Sequence, residues 1–262
     1  MGLVVLAGLI GAILVPAARP ALLLALGLGV LAPQGSALRW ASAAALPVAM
    51  ILGWGGLASG EVREGLLDCA SLLSPPAVLR VAEASIVGGV VILLARWLGV
   101  TPGSLGLRRP DRRAAALGVL AAALVGLGSL LLGTVLAEPF FGPIRLRLSD
   151  PVAIVPALAL AVANGTMEEL AYRGALLVWM SRVTGPFVAL VGQALVFAFA
   201  HTGADFVASA VPVLLAVGAG GLLAGVVARR SGSLWWPIVI HVGFDVPLYY
   251  VAACRLSADG TV

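Results

Sequence analysis

The chain has 262 residues, of which 61% are hydrophobic and 11% charged, and its mean hydropathy is +1.10. These values lie outside the range of soluble globular domains and indicate a polytopic membrane protein. The net charge of +4 is the difference between 16 basic residues, all arginine, and 12 acidic residues, and the densest group of arginines lies between two apolar runs. Membrane topology explains such a cluster, so we expect a lipid bilayer as the surroundings and no nucleic-acid partner.

Apolar runs of membrane length follow one another along the chain, and each predicts a transmembrane helix because about 20 residues cross a bilayer. The first run, 3–31, is interrupted by Pro16, Arg19 and Pro20, which predicts either one kinked span or two short helices that dip into the membrane. The clearer runs cover residues 38–58, 78–100, 114–137, 152–180, 187–202, 212–228 and 235–253. We therefore predict an all-α bundle of about eight transmembrane spans.

The loops between these runs are short, so we expect no separate soluble domain. We predict one integral membrane domain over 1–262, with N-terminal spans in 1–137 and a catalytic core in 152–253. The oligomeric state does not follow from the sequence.

The charges of the loops predict the orientation of the spans. The loop 96–113 is strongly basic, whereas the loop 59–77 is net acidic, and basic loops favour the cytoplasmic side. Alternation then places the loop 181–186 and the loop at Ser231 in the cytoplasm, and the neutral loop 138–150 on the opposite side.

One apolar run contains an unusual charged stretch, Thr166 to Arg173, with the sequence Thr-Met-Glu-Glu-Leu-Ala-Tyr-Arg. An ionised side chain in hydrocarbon costs at least about 2.5 to 3.5 kcal/mol, so these groups should face a polar interior. Asn164 and the glycine after it interrupt the preceding run, and Thr166 with Glu169 three residues later has the spacing of a capping box. This pattern predicts that a helix begins at Thr166.

Within that helix the two glutamates differ in their partners. Glu169 and Arg173 are four residues apart, so they share one helix face and are predicted to pair. Glu168 points about 100° away and is predicted to remain free of a basic partner.

The chain contains two histidines, His201 and His241, and both lie in or at the edge of apolar runs. Phe197 precedes His201 by four residues and Asp245 follows His241 by four, so each pair shares a helix face. A lone intramembrane histidine is commonly a packing or hydrogen-bonding residue. Together with the charged stretch, however, these side chains predict one shared polar cavity, because separate buried charges would each need their own compensation.

Such a cavity supports hydrolytic chemistry by two routes. A glutamate beside an imidazole can hold and deprotonate a water molecule, while a second histidine holds the oxyanion of a tetrahedral intermediate. The same His, His and Glu side chains could instead bind a divalent metal such as zinc. The sequence permits either route, although it lacks the pattern of two histidines on one metal-binding helix and any serine or cysteine nucleophile signature.

The motifs in this half resemble those of the CPBP intramembrane proteases, the group that contains type II CAAX prenyl endopeptidases and bacterial Abi proteins. Glu168 to Arg173, followed by glycine, is similar to the Glu-Glu-x-x-x-Arg motif. Phe197 to His201 is similar to Phe-x-x-x-His, and His241 to Asp245 is similar to His-x-x-x-Asn/Asp. The resemblance covers about residues 152–253.

This resemblance implies a role for each residue in the motifs. Glu168 and His201 would activate water, and His241 and Asp245 would stabilise the oxyanion. An ionised Asp245 cannot donate a hydrogen bond, so it would be protonated, orient His241, or bind a metal or water. The supporting residues would be Glu169, Arg173, Tyr172 and Phe197. For Arg173, neutralising Glu169 is the favoured role.

The predicted function is an intramembrane endopeptidase that cuts a membrane-anchored protein or peptide near the membrane surface, close to a C-terminal anchor or motif. The resemblance to bacterial proteins implies the cytoplasmic (inner) membrane. We favour a metal-free, glutamate-type mechanism. If a metal were present, Glu168, His201, His241 and Asp245 would be its ligands. The alternatives are a proton-coupled transporter, for which no inverted repeat is visible, and a non-catalytic Abi-like immunity protein on the same scaffold.

Helical rise presents one difficulty for a shared cavity. From the predicted inner ends of their spans, His201 lies about 21 Å deep and His241 only about 9 Å deep. Bringing both histidines to Glu168 therefore requires a tilted helix or a re-entrant segment.

Overall fold

The computed structural model describes residues 1–63, 75–132, 154–201 and 210–253. Within these ranges the chain is helical and contains no strand, as predicted. The helices are α1 (Gly2–Leu14), α2 (Arg19–Val30), α3 (Ala37–Arg63), α4 (Pro75–Trp97), α5 (Arg112–Leu131), α6 (Ile154–Thr184), α7 (Pro186–Ala200), α8 (Ala210–Ser231) and α9 (Trp235–Ala253). Short 3₁₀ turns occur at Pro16–Ala18 and Pro102–Leu105.

A helix is present at each predicted span, and the polytopic helical bundle is confirmed. The run 3–31 forms two helices, because Pro16 and Pro20 lie at the starts of the 3₁₀ turn and of α2, where a missing backbone N–H costs nothing. Four described helices are long and apolar enough to cross a membrane unaided, and four shorter apolar helices accompany them. The lengths agree with a protein embedded in the bilayer.

The prediction that a helix begins at Thr166 is wrong. α6 begins at Ile154 and passes through Asn164, Thr166 and Glu169 without interruption. A capping box is useful only where backbone N–H groups lack partners, and in mid-helix the preceding carbonyls supply them. What the charged stretch marks instead is a change in helical winding, since residues Glu169–Leu177 form a π-helical segment. Such segments are rare and are often found at functional sites.

Three loops that were predicted to lie on the cytoplasmic side meet at one end of the bundle. The backbone N–H of Leu234 donates to the carbonyl of Gly106 at 2.9 Å, which joins the loop before α9 to the loop after α4. Arg229 Nη1 donates to the carbonyl of Pro186 at 3.0 Å, which joins the end of α8 to the start of α7. These contacts agree with the predicted alternation of the spans.

The main hydrophobic core lies around α3 and α6, and α1, α4 and α7 pack against them. α6 is the most buried of the long apolar helices that the structure describes: 67% of its most apolar stretch is buried, compared with 11% for α5. α5 packs mainly on α9, where Gly126 faces the carbonyl of Gly243 and Gly243 faces the backbone of Ala122. Small residues thus let these two helices approach closely.

Two predicted features fall at least partly outside the described residues. These are most of the acidic loop 59–77 and the whole of the loop 138–150.

Candidate active site

The candidate site lies where α6 crosses α9, and a glycine makes the crossing close. A Cβ added at Gly165 would lie 3.2 Å from Val242 Cγ2 and 3.5 Å from His241 Cβ. The first distance is tight and the second is ordinary van der Waals contact, so a side chain at position 165 would require Val242 to shift. The close approach brings the polar residues on either side of Gly165 and Val242 together.

Two polar pairs with i,i+4 spacing face each other across this crossing. α6 contributes Asn164 and Glu168, and α9 contributes His241 and Asp245. Asn164 Nδ2 donates to Asp245 Oδ2 at 2.9 Å. At the other corner, His241 Nε2 lies 3.7 Å from Glu168 Oε2, and the same nitrogen is 3.6 Å from Asp245 Oδ2. The four side chains therefore form one compact polar cluster inside an apolar bundle.

Glu168 is buried, with 8% of its surface exposed. Its Oε2 atom has no hydrogen-bond donor among the described residues, and 3.7 Å to His241 Nε2 is longer than a hydrogen bond. Buried carboxylate oxygens are nearly always hydrogen-bonded in folded proteins. This oxygen is therefore suited to accept a hydrogen bond from a water molecule or a substrate.

Glu169 has a different environment, and its predicted pairing with Arg173 is present. Arg173 Nη1 donates to Glu169 Oε1 at 2.9 Å, and both side chains are almost fully buried. His241 Nδ1 lies 2.9 Å from the same oxygen. Glu169 therefore neutralises Arg173 and also orients His241, a contact that helical spacing alone did not reveal.

These contacts require a proton on the Nδ1 atom of each imidazole ring. A carboxylate only accepts hydrogen bonds, so the Nδ1 atom of His241 is the donor to Glu169. His201 Nδ1 lies 2.8 Å from the carbonyl of Phe197, which also only accepts. In each neutral imidazole the lone pair is therefore on Nε2, the nitrogen that His241 directs towards Glu168 and Asp245.

The Phe197 ring lies near both histidines. Its ring centroid lies 4.6 Å from the ring of His201 and 6.2 Å from that of His241. The Arg173 guanidinium lies 4.2 Å above the Phe197 ring, and Tyr172 meets that ring edge-on at 5.0 Å. The structure thus brings both histidines and the predicted supporting residues into one neighbourhood. The direct approach of His201 to Glu168 remains a prediction.

The difference in depth between the histidines is resolved by the loop before α9. Leu234 lies against Gly174, where an added Cβ would be 3.3 Å from Leu234 Cδ1. Gly174 precedes the end of α6 at Thr184 by 10 residues, so α9 begins about 15 Å inside that end of α6. The buried residue Leu105 belongs to the same inserted region. A loop that enters the bundle therefore places His241 at the level of Glu168.

Several residues near the site were not singled out from the sequence. Asn164 was interpreted as an interruption of the apolar run, yet it hydrogen-bonds Asp245. Gln193 on α7 is fully buried and donates to the carbonyl of Gly221 at 3.0 Å, an oxygen that also lies 3.5 Å from Arg173 Nη2. A neutral amide in an apolar run gives only a weak signal.

Arg80 and Glu83 on α4 form a buried ion pair at 2.8 Å, and their charges within a predicted span could have revealed them. Glu83 lies within electrostatic range of Glu168. α4 therefore contributes a charged pair to the surroundings of the cluster.

The described residues include no group of three or more His, Cys, Asp or Glu side chains arranged to hold a metal ion. His241 Nε2 has two carboxylate neighbours, Glu168 at 3.7 Å and Asp245 at 3.6 Å, which are beyond metal-ligand geometry for one shared ion as they stand. His201 and His241 each use Nδ1 in a hydrogen bond within the protein, and the Nε2 atom of His241 lies beside the two carboxylates.

Residues 150–247 match the family model of type II CAAX prenyl endopeptidase Rce1-like proteins. Comparisons with curated proteins and with solved structures found no match. The matched range contains all three motifs, the whole of α6 and residues 235–247 of α9. It supports an intramembrane endopeptidase of the CAAX type, which acts on a membrane-associated protein substrate. Over these 98 of the 262 residues, the match confirms the resemblance to this group of proteases that the motifs predicted.

Proposed function

We propose that this protein hydrolyses a peptide bond within the membrane with a water molecule that Glu168 activates. The observation that carries the proposal is the contrast between two adjacent carboxylates. Glu169 pairs with Arg173 and His241 through Oε1, although its Oε2 has no donor. Among the described residues Glu168 has no arginine partner, and its Oε2, which also lacks a donor, faces the Nε2 atom of His241. A general base needs a carboxylate that is buried, held in place and not neutralised by a cation.

In the proposed reaction, Glu168 takes a proton from water and the resulting hydroxide oxygen bonds to the carbonyl carbon of the substrate. The electron pair of the carbonyl double bond moves to oxygen, and a tetrahedral intermediate forms. When the intermediate collapses, the bond from carbon to nitrogen breaks. The proton held by Glu168 passes to the leaving nitrogen, so the carboxylate is regenerated.

The two histidines would have separate tasks. His201, with its proton on Nδ1, would accept a hydrogen bond from the attacking water through Nε2 and help to orient it. His241 is held by Glu169 and would stabilise the oxyanion when its Nε2 is protonated. Glu169, Arg173 and Phe197 would act through these groups by holding them in position.

The proposed reaction is metal-free, since the roles above require only proton transfer and hydrogen bonding. Zinc ligation would require His201, His241 and a carboxylate at about 2.0 to 2.2 Å from one point. Water activation requires only that Glu168 and His201 reach one water molecule at about 2.6 to 3.2 Å. The proposed substrate is a membrane-anchored protein or peptide that is cut close to its C-terminal end.

The test is cleavage by purified protein in detergent of an internally quenched fluorogenic peptide. The peptide ends in cysteine, two aliphatic residues and a variable residue, and is tested in farnesylated and unmodified forms. Glu168→Gln should lower kcat at least about 100-fold, because an amide of nearly the same shape cannot accept the proton. Its thermal unfolding should match that of the wild type.

Glu169→Gln is the matched control, since it makes the same chemical change one residue away. It should lower the thermal stability of the protein as well as kcat, whereas Glu168→Gln should lower kcat alone. If Glu168→Gln cleaved at the wild-type rate, Glu168 would not be the general base.

A further inference from the structure

The hydrogen bond between Asn164 and Asp245 suggests a role for a residue outside the three motifs. Asn164 Nδ2 lies 2.9 Å from Asp245 Oδ2, and the two residues are 6% and 7% exposed. Both lie at the crossing of α6 and α9, since Gly165 directly follows Asn164 and contacts Val242 and His241. The amide is therefore buried, fixed in orientation and adjacent to the candidate catalytic groups.

The chemistry of the cluster requires another donor. An oxyanion is stabilised by N–H or O–H groups, and an ionised carboxylate at Asp245 has neither. Asp245 Oδ2 accepts a hydrogen bond from Asn164, a role that an ionised carboxylate can fill. Its contribution to the oxyanion must then pass through a neighbour that carries hydrogen atoms.

Asn164 meets this requirement. Its amide nitrogen carries two hydrogen atoms, and one is used in the bond to Asp245. Because only the NH₂ end of the amide can donate, the carboxylate determines which way the side chain is turned. The second N–H remains for another acceptor. Asn164 also lies one helical turn before Glu168, so both side chains lie on the same face of α6.

We propose that Asn164 is a further catalytic residue, whose second amide N–H donates to the oxyanion of the tetrahedral intermediate while Asp245 holds the amide in place. This inference rests on the proposed function and names an additional donor in that same site. Asn164 and Asp245 then act as a unit in which the carboxylate orients and the amide donates. Asp245 is a positioning residue in this arrangement.

A double-mutant cycle tests the proposal with the same fluorogenic peptides. In the wild-type background, Asn164→Ala should lower kcat about 100-fold or more, the usual effect of losing one oxyanion donor, with little change in KM. In the Asp245→Asn background, the amide introduced at position 245 can itself donate. In that background Asn164→Ala should lower kcat by less than about tenfold, so the effects of the two substitutions on kcat should be strongly non-additive.

A merely structural role gives a different result. If the hydrogen bond only joins α6 to α9, Asn164→Ala should lower the thermal stability, and it should lower kcat by the same factor in both backgrounds. Ser129→Ala is the matched control, because Ser129 Oγ donates to the carbonyl of Phe244 at 2.9 Å and also ties a neighbouring helix to α9. That variant should lose stability without losing kcat. If Asn164→Ala unfolds, Asn164→Leu provides the same comparison, because its branched side chain resembles asparagine in shape but has no N–H or O–H to donate.

The outcomes separate this inference from the proposed function. An inactive Glu168→Gln with an Asn164→Ala whose kcat is within about threefold of wild type would overturn the role of Asn164 alone. Equal losses in both backgrounds would also overturn it. A fully active Glu168→Gln would overturn the proposed function, and so would wild-type protein that cleaves neither peptide. Either of these results would remove the basis of this inference.

Discussion

Helix α9 has two faces that pack in opposite ways. Towards α6 it presents His241 and Asp245, which meet buried polar partners at distances of 2.9 to 3.7 Å. Towards α5 it presents Gly243, whose position leaves no space for a side chain against the backbone of Ala122. The first face leaves polar atoms with unused hydrogen-bonding capacity, whereas the second is closed by backbone contact. One helix therefore serves both as a wall of the site and as a packing surface, and substitutions on its two sides should affect different properties.

The largest expected effect beyond loss of the general base is on the polar side, at Glu169. Glu169→Gln removes the charge that compensates Arg173, and a buried unpaired charge costs about 3 to 5 kcal/mol. We expect a large fall in the thermal stability of the purified protein and a fall in kcat as His241 loses its orientation. Adding Arg173→Met should recover part of the stability, because the unpaired cation is then absent. If the double variant were less stable than Glu169→Gln, the ion pair would not be the cause.

The next effect sharpens the comparison on the apolar side. Gly243→Ala places a methyl group against the Ala122 backbone, so α5 and α9 must separate, at a cost of about 1 to 3 kcal/mol. Thermal unfolding in detergent measures this loss, and kcat of the folded fraction should change little. Gly128→Ala on α5 is the control, because nothing lies within 4 Å of a Cβ at that position. Equal effects at the two glycines would contradict close packing at Gly243.

A smaller effect on stability and kcat is expected at Gln193, which reaches the polar side only through the Gly221 carbonyl that it shares with Arg173. Gln193→Leu removes the bond to the Gly221 carbonyl and should cost about 1 kcal/mol, the usual contribution of one hydrogen bond. Because Arg173 also approaches that carbonyl, kcat should fall by less than about tenfold while KM stays unchanged. A loss of kcat as large as that of Glu168→Gln would show that Gln193 has a direct role.

The smallest expected effect is that of a metal chelator on the activity of the polar face. In the metal-free mechanism, a chelator should leave kcat within about twofold of its starting value, since proton transfer to Glu168 needs no metal ion. Metal content and activity should be measured together on the purified protein. Stoichiometric zinc, with activity lost on its removal and recovered when it is added back, would replace the metal-free mechanism with ligation by the same side chains.

The candidate site could be predicted from the sequence only in part. The pairing of Glu169 with Arg173 follows from their spacing, because residues four apart meet on any α-helix. The bond from Glu169 to His241 joins residues 72 positions apart, and no local rule specifies it. Asn164 shows the limit most clearly. As a polar residue before a glycine it indicated a break in the helix, whereas its amide is satisfied by a carboxylate on another helix.

The sequence by itself determined that the protein is a helical membrane bundle, which residues share a helix face, and which helices carry the charges. These properties are local: hydropathy reports transfer into the bilayer, and helical periodicity relates residues within a turn or two. Only the tertiary structure decided that α9 begins deep inside the bundle beside Gly174, and that Gly165 lets α6 and α9 approach. Those features depend on the fit of surfaces far apart in the chain. The meeting of Glu168, His241 and Asn164 with Asp245 follows from that fit and from no single segment.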